Sequence, residues 1–209
     1  PLDLFEEEGM SVVAVAWGSR FLGVVALADT PRPGAQAALV ELRRAGLKHL
    51  VMLTGDNPKA ANLVGRQLGV VDVRAGLLPE QKWKAGQELK EQVGSFAMVG
   101  DGVNDAPALA AADVGIAMGG AGTAVALETA DVALMGDDLA KLPYAVALSR
   151  KSRRVIRQNL VLSLGVIAVL IVTSLSGIGE LSWTVVFHEG STLAVVANAL
   201  RLLSFDTKS

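Results

Sequence analysis

The stretch from Met98 to Leu109 constrains this chain more than any other, because its residue order is typical of one local structure. The apolar run from Phe96 to Val99 indicates the end of a buried strand, and residues Ala106 to Ala112 indicate a helix. A tight turn that carries the carboxylates of Asp101 and Asp105 lies between them. Open α/β sheets place their chemistry at the carboxyl ends of strands, where Asp101 would stand.

The residue types in this turn suit a magnesium ion. Mg²⁺ is usually bound by one or two carboxylates together with phosphate oxygens and water, so Asp101 and Asp105 are the candidate ligands. Gly100 and Gly102 would let the backbone approach a ligand without a Cβ in the way. Asn104 would bond a phosphoryl group or a carboxylate. A surface turn rich in Gly and Asp is the alternative interpretation of so short a motif.

Strand and helix patterns alternate around this turn, which favours a parallel sheet with helices on both faces. Before them, residues 11–16 and 21–28 predict a β-hairpin around Gly18-Ser19. The predicted strands are 50–53, 70–73, 96–99, 114–117 and 132–135, and the predicted helices are 34–45, 58–68, 78–93, 106–112 and one ending at 129. The fold class that follows for residues 28–138 is α/β, with a Rossmann-like domain.

Two further strand or helix ends carry groups suited to a phosphate. Thr54 follows a predicted strand, and its hydroxyl and the N–H of Gly55 could hold a phosphoryl oxygen. Lys82 begins a predicted helix and offers a compact positive charge for the same oxygens. Phosphoryl transfer depends mostly on positioning and charge neutralisation, so Thr54, Lys82 and the two aspartates form a suitable set.

The chain changes character after residue 138. Residues 139–159 predict a helix with a basic cluster, which comprises Arg150, Lys151, Arg153, Arg154 and Arg157. Residues 160–175 then carry no charge and, with their flanks, approach the ~20 residues that cross a bilayer. A second apolar run, 181–203, follows a break at 176–180. Because basic residues flank the pair, both ends are expected in the cytoplasm. The prediction is a transmembrane helical hairpin, and a hairpin buried in a soluble core is the alternative.

Composition agrees with a membrane setting. Hydrophobic residues make up 51% of the 209 residues and charged residues 19%. A net charge of −2 gives no reason to expect a nucleic-acid partner. The chain has no cysteine, which excludes disulfides and thiolate metal ligands within it.

Three motifs together resemble those of the haloacid-dehalogenase-type phosphotransferases, in the form found in P-type cation-transporting ATPases. They are Thr54-Gly55-Asp56, the Pro-x-x-Lys at 79–82, and Gly-Asp-Gly-Val-Asn-Asp-Ala-Pro-Ala-Leu at 100–109. The resemblance implies catalytic roles for the side chains or backbone of Thr54, Gly55, Asp56, Lys82, Asn104 and Asp105. It also implies ATP as the substrate.

Residues 29–32, Asp-Thr-Pro-Arg, resemble the hinge of the same family, which reads Asp-Pro-Pro-Arg. The resemblance implies that Asp29 and Arg32 lie near the nucleotide, together with Thr54, Gly55 and Asp56. Thr30 replaces a proline of the family pattern. The domain division implied is 1–28 as the last strands of a nucleotide-binding domain, 29–138 as the phosphorylation domain, and 139–209 as the basic helix and membrane pair.

The second apolar run contains ionisable residues, which are costly in a membrane and usually functional. His188, Ser191 and Thr192 would share one helix face, with Glu189 adjacent. Imidazole nitrogen with carboxylate and hydroxyl oxygens suits Zn²⁺ or Co²⁺ better than Cu⁺, so His188, Glu189 and Thr192 are candidate ligands. Wet side chains at the outer interface are the alternative. The run resembles the last helix of cobalt/zinc-exporting pumps, in which a Ser-Pro-Cys on an earlier helix completes the site.

The function implied is the C-terminal part of an ATP-driven pump that exports Co²⁺ or Zn²⁺ through an aspartyl phosphate. Its expected place is a bacterial inner membrane, with several spans and a cytoplasmic phosphorylation domain, and its partners are the rest of the pump and the lipid bilayer. The family's Asp-Lys-Thr-Gly-Thr motif is absent, so this chain is expected to be inactive alone. A membrane-anchored phosphatase of the same superfamily, or a non-catalytic fragment that binds metal or a partner pump, remains as an alternative.

Overall fold

The computed structural model describes residues 10–27, 30–100, 105–118, 128–136, 138–177 and 181–205. The chain divides into two compact units, Pro1–Pro143 and Tyr144–Ser209, which are described separately below.

The first unit alternates strands and helices, as predicted. Its elements are β1 (Ser11–Trp17), β2 (Arg20–Leu27), α1 (Ala35–Arg44), β3 (Val51–Leu53), α2 (Pro58–Leu68), β4 (Asp72–Arg74), α3 (Pro79–Val93), β5 (Ala97–Gly100), α4 (Ala106–Ala111), β6 (Val114–Met118) and β7 (Val132–Leu134). Of the helix predicted to end at Thr129, only residues 128–129 fall in the described ranges, and both are helical.

The strands pair in three groups. β1 and β2 form the predicted antiparallel hairpin, while β3 pairs with β4 in parallel. β5, β6 and β7 form a three-stranded parallel sheet in that order. The prediction of parallel strands joined by helices is therefore confirmed. Among the described residues, β3 and β5 each have a strand partner on one side only.

Helix α2 shows how the local sequence fixes element ends. The Asn57 side chain accepts a hydrogen bond from the backbone N–H of Ala60 at 2.9 Å, and Pro58 occupies the first turn, where its missing N–H costs nothing. Gly69 ends the helix with φ +70°, and the Val70 N–H bonds back to the Gly65 carbonyl at 2.8 Å.

The same helix end corrects one predicted strand. We expected a strand at 70–73, but β4 begins at Asp72. The backbone N–H of Val70 forms the last hydrogen bond of helix α2, and Val70 is buried. The next residue, Val71, is 95% exposed. The apolar residues therefore mark the end of a helix and not the start of the strand.

A small apolar cluster lies between β5 and α4. Met98 of β5 packs with Ala108 and Leu109 of α4, and Leu53 of β3 packs against this group. Leu109 is 1% exposed, so it is the most completely buried large side chain of the cluster. Leu53 directly precedes Thr54, so its contact with the cluster connects the end of β3 to β5 and α4.

The second unit contains the long helix α5 (Lys141–Leu175, which begins in the first unit) and the helix α6 (Leu181–Leu200). We expected a helix at 139–159 followed by a separate apolar span, but α5 is continuous through both, because nothing between them breaks a helix. Of the described helices, α5 alone is long and apolar enough to cross a membrane by length and composition. His188, Glu189 and Asn198 lower the hydropathy of α6, so a second span stays a prediction.

An ion pair joins helix α3 to the segment between α4 and β6. The Lys90 Nζ lies 2.7 Å from Asp113 Oδ1, and the Phe96 backbone N–H donates to Asp113 Oδ2 at 3.0 Å. The hydrogen bond from Lys90, followed by that from Phe96, lowers the pKa of Asp113 below its ordinary value. Both interactions favour the ionised carboxylate in the folded state.

This lowered pKa predicts a pH-dependent loss of stability in Asp113→Asn. Because the folded-state pKa lies below the unfolded one, the stabilisation is complete above the unfolded pKa and is lost as the pH falls through the folded pKa. Thermal unfolding midpoints of the wild type and Asp113→Asn should therefore differ at pH 7 and converge as the pH falls below about 4.

Glu91→Gln serves as the control for this series. It removes one exposed carboxylate from the same helix that carries Lys90. A difference between wild type and Asp113→Asn that stays constant down to strongly acidic pH would contradict the assignment.

Candidate phosphoryl-transfer site

The first part of the site is the turn after β3. The Thr54 hydroxyl donates to Asp56 Oδ2 at 2.6 Å, and the Asp56 backbone N–H donates to Thr54 Oγ1 at 3.1 Å. The Thr54 N–H bonds the Arg74 carbonyl, and the Leu77 N–H bonds the Thr54 carbonyl, each at 3.0 Å. Thr54 is thus held at both its backbone and its side chain, while Gly55 and Asp56 remain exposed.

The second part is the start of helix α3. Pro79 occupies the first turn, and the Gln81 side chain accepts the Leu78 backbone N–H at 2.8 Å. These contacts fix the first turn, from which Lys82 projects. The Lys82 side chain is only 16% exposed, although lysine side chains usually reach into solvent.

Lys82 is held by the third part of the site, Asp105. The Lys82 Nζ lies 2.8 Å from Asp105 Oδ1, and the Asp105 side chain is 13% exposed. Within the described ranges, Asp105 is the only charged residue that is buried. A burial of this kind is costly for a lone carboxylate, so the Lys82 ammonium supplies the compensating charge.

Gly100 allows Asp105 to occupy this position. A Cβ added at Gly100 would lie 2.8 Å from the Asp105 Cβ and 2.9 Å from its Oδ2, closer than real side chains allow. The carboxylate therefore lies directly against the end of β5. The sequence predicted a close approach here by a ligand, and the structure places the Asp105 side chain in that space.

The predicted residues are only partly covered by the structure. Asp101 and Asn104 lie outside the described residues, and so does Asp29. Arg32 is described, and its Nη1 lies 3.8 Å from the sulfur of Met118, at the end of β6. Its predicted contact with a nucleotide stays a prediction.

The arrangement fits a magnesium ion by its donor chemistry. Asp105 presents hard carboxylate oxygens at a strand end, with one of them already bonded to Lys82. The described residues contain no group of three or more His, Cys, Asp or Glu close enough to form a complete cage. Mg²⁺ does not require one, because it usually retains waters and binds substrate phosphates.

The predicted transmembrane ligands lie together on α6. The Ser191 and Thr192 hydroxyls donate to the His188 carbonyl at 2.7 and 3.3 Å, which places these residues on one side of the helix. His188 also lines a groove with Ile167 and Leu170 of α5. His188 and Glu189 are exposed. A role as metal ligands stays a prediction.

A polar network between α5 and α6 was not predicted. The Asn198 amide donates to Asn159 Oδ1 at 2.8 Å, and the Asn159 amide donates to the Val195 carbonyl at 3.3 Å. Arg201 Nη1 donates to Asn198 Oδ1 at 3.0 Å. Amides inside otherwise apolar helices are the sequence signal that could have revealed it, because such groups bond across helix pairs.

The chain is similar to a known protein family and to several transport ATPases. The family model "haloacid dehalogenase-like hydrolase" matches residues 2–113. A probable cadmium-transporting ATPase of Staphylococcus aureus is 42% identical over 98% of this chain and 26% of its own length. A zinc-transporting ATPase of Bacillus subtilis (strain 168) is 50% identical over 94% of this chain and 31% of its own length.

A solved structure gives the same result. The crystal structure of a zinc-transporting PIB-type ATPase in the E2.Pi state matches 97% of this chain with a TM-score of 0.84 and 46% identity. The chain spans 33% of that protein and about a quarter to a third of the curated relatives. The family model covers more than half of the chain, and the relatives agree with it. This chain therefore belongs to the haloacid dehalogenase-like hydrolase family, and its homologues are cadmium- and zinc-transporting P-type ATPases.

Proposed function

We propose that this chain forms the phosphoryl-transfer and C-terminal membrane part of an ATP-driven pump. The pump would export a divalent transition metal of the Co²⁺/Zn²⁺ type through an aspartyl phosphate, across a bacterial inner membrane. The observation that carries the proposal is the partly buried pair of Lys82 and Asp105, of which the Asp105 side chain lies beside the end of β5. Lys82 and Asp105 belong to the two motifs, at 79–82 and 100–109, that resemble those of the phosphotransferases.

The described side chains would act by positioning and by charge. The transferring phosphoryl group carries negative charge on its oxygens, and fixed donors stabilise that charge in the transition state. Lys82 would supply an ammonium that is already held in place by Asp105. The Gly55 N–H would supply a donor from the turn after β3. The single hydrogen of the Thr54 hydroxyl is donated to Asp56 Oδ2, so Thr54 would donate to a phosphoryl oxygen by exchanging Asp56 for the phosphate as its acceptor.

Magnesium and nucleotide complete the proposed chemistry. Asp105, together with Asp101, would hold Mg²⁺, and Asn104 would bond the phosphoryl group or a carboxylate. When bound, Mg²⁺ neutralises charge on the phosphoryl oxygens. ATP would contact the 54–56 turn and, through the hinge, Asp29 and Arg32.

The nucleophile would come from another part of the pump. Strands β3 and β5 each leave one edge unpaired among the described residues, while Leu53 packs against the cluster around Met98. A strand placed between these edges would bring an aspartate to the end of the sheet at which Thr54 and Asp105 lie. The rest of the pump is therefore a required partner in this proposal.

The proposed cargo site rests on α6. His188 supplies an imidazole nitrogen, and Glu189 and Thr192 supply oxygens, a set that suits borderline divalent ions. Relatives named for cadmium and zinc transport support an ion of this class. Ligands from an earlier helix would complete the site.

Lys82→Gln should abolish most of the activity. Removal of one preorganised positive donor typically costs ~10²–10³-fold in rate. We expect ATP-dependent phosphorylation of the intact pump, measured with labelled ATP, to fall by about that factor. Lys84→Gln is the matched control, because it removes an exposed lysine two residues further along the same helix. Equal rates in both variants would contradict the role of Lys82.

Gly100→Ala tests the position of Asp105 without a change in charge. The new Cβ would meet Asp105 at under 3 Å, so the carboxylate must move away from the end of β5. Misplacement of a catalytic group by about 1 Å can cost ~10²-fold in rate. We expect ATP hydrolysis to fall by about that factor, and the magnesium concentration for half-maximal activity to rise. Unchanged values of both would show that the carboxylate position is unimportant.

His188→Ala tests the cargo site separately from the chemistry. The intact pump in detergent and lipid should show ATP hydrolysis stimulated by Co²⁺ or Zn²⁺, and His188→Ala should lose that stimulation. The chain has two histidines, so His49→Ala, at an exposed site in the first unit, is the matched control.

The outcomes separate the alternatives. Stimulation by Cu⁺ alone, or a fully active His188→Ala variant, would overturn the ion assignment and leave the phosphoryl-transfer assignment intact. Hydrolysis of small phosphate esters without any metal-stimulated ATP hydrolysis would favour a membrane-anchored phosphatase.

A further inference from the structure

Four arginines form a stripe along helix α5, immediately before its uncharged part. The members of this arginine stripe are Arg150, Arg153, Arg154 and Arg157. Their spacing of 0, 3, 4 and 7 residues places them on one face, within an arc of roughly 100° at 3.6 residues per turn. All four are exposed.

The arginine stripe faces away from helix α6. Contacts from α5 to α6 and to the residues after it include those of Lys151, Gln158 and Asn159. Lys151 lies 4.6 Å from the centre of the Phe205 ring. By helical geometry these three positions are rotated roughly 90° to 170° from the centre of the stripe. Within this unit, α6 therefore leaves the stripe uncovered.

The charge of the stripe is not balanced by its own helix. Helix α5 contains no aspartate or glutamate. Among the described residues, Arg153, Arg154 and Arg157 make no ion pair. Like charges three and four residues apart destabilise a helix, so an anionic partner would relieve a repulsion that is built into the stripe.

The position of the stripe along the helix matches the depth of lipid headgroups. The uncharged part of α5 begins at Leu160, and at 1.5 Å per residue Arg157 stands ~5 Å and Arg150 ~15 Å from it. The headgroup layer of one leaflet is roughly 5–8 Å thick, and arginine side chains are long enough to reach it from its outer side.

The same helix face continues as an apolar surface. Leu160, Val161 and Leu164 lie below the arginines on this side, and they are 56%, 65% and 56% exposed within the unit. A lipid whose phosphate meets the stripe could therefore lay its acyl chains along the same face.

We propose that the arginine stripe binds the headgroups of acidic phospholipids in the cytoplasmic leaflet. Guanidinium groups form paired, charge-assisted hydrogen bonds with phosphate oxygens, and basic clusters next to a membrane span attract anionic lipid. The proposal requires α5 to span the membrane, as its length and composition allow. It depends on neither the phosphoryl-transfer site nor the cargo ion.

The test measures which lipids remain on the intact protein. The protein is incubated in detergent with equal amounts of phosphatidylglycerol and phosphatidylcholine and then washed, and the retained lipids are quantified by mass spectrometry. We expect phosphatidylglycerol to be enriched on the wild type. The triple variant Arg153→Gln, Arg154→Gln, Arg157→Gln should reduce that enrichment by about tenfold or more, since each basic residue near the surface contributes several-fold.

Two further variants control for charge and for folding. The triple variant Lys48→Gln, Arg66→Gln, Lys84→Gln removes the same net charge at exposed sites in the first unit and should keep the enrichment. Replacement of the three stripe arginines by lysine should restore most of it, because the positive charge remains. Elution as a single species in size-exclusion chromatography establishes that each variant is folded.

Four results would overturn the proposal. They are equal retention of both lipids by the wild type, full enrichment in the arginine-to-glutamine variant, the same loss in the distant control variant, and loss in the lysine variant equal to that in the glutamine variant. A further arm adds inorganic phosphate at matched ionic strength. Displacement of lipid by phosphate well beyond that by chloride would show that the stripe recognises free phosphate and not a membrane surface.

Discussion

The ion pair between Lys82 and Asp105 is the interaction on which the chemistry proposed for the first unit depends. It connects the start of α3 to the start of α4 across 23 residues of sequence, at 2.8 Å and largely out of water. A partly buried pair contributes little net stability, because desolvation of both charges offsets their attraction. Its value lies in geometry, since each charge holds the other at a strand end where a phosphate could replace one contact. Gly100 makes this possible by leaving the space that a Cβ would fill.

Several features of the fold could be predicted from the sequence, because residues that are close together in the chain determine them. Asn57-Pro58 and Gly69 give both ends of α2, and the alternation of apolar runs with helices gives the parallel pairing. The start of β4 could not be predicted from the apolar Val70 and Val71. Val70 is bonded to the end of α2, and Val71 is exposed to solvent. The continuity of α5 was also missed, because polarity changes along it while helix-forming residues continue throughout.

The site was predicted as a set of residues but not as a set of contacts. Sequence motifs suggested a phosphate for Lys82 and magnesium for Asp105, and the structure shows these two groups bonded to each other. Such pairing depends on how α3 and α4 pack, which no local pattern contains. The Asn159–Asn198 contact was missed for the same reason, since the two residues are 39 positions apart.

That asparagine contact has a mechanical consequence for α6. The Asn198 amide donates to Asn159 Oδ1 at 2.8 Å and lies 3.3 Å from Gln158 Oε1, so a slide of α6 along α5 would lengthen or break the shorter of these bonds. These hydrogen bonds therefore oppose a movement of one helix along the other. His188 lies ten residues before Asn198, ~15 Å along the helix. Asn159, a residue of a different helix, thus helps to fix the position of His188 along α5.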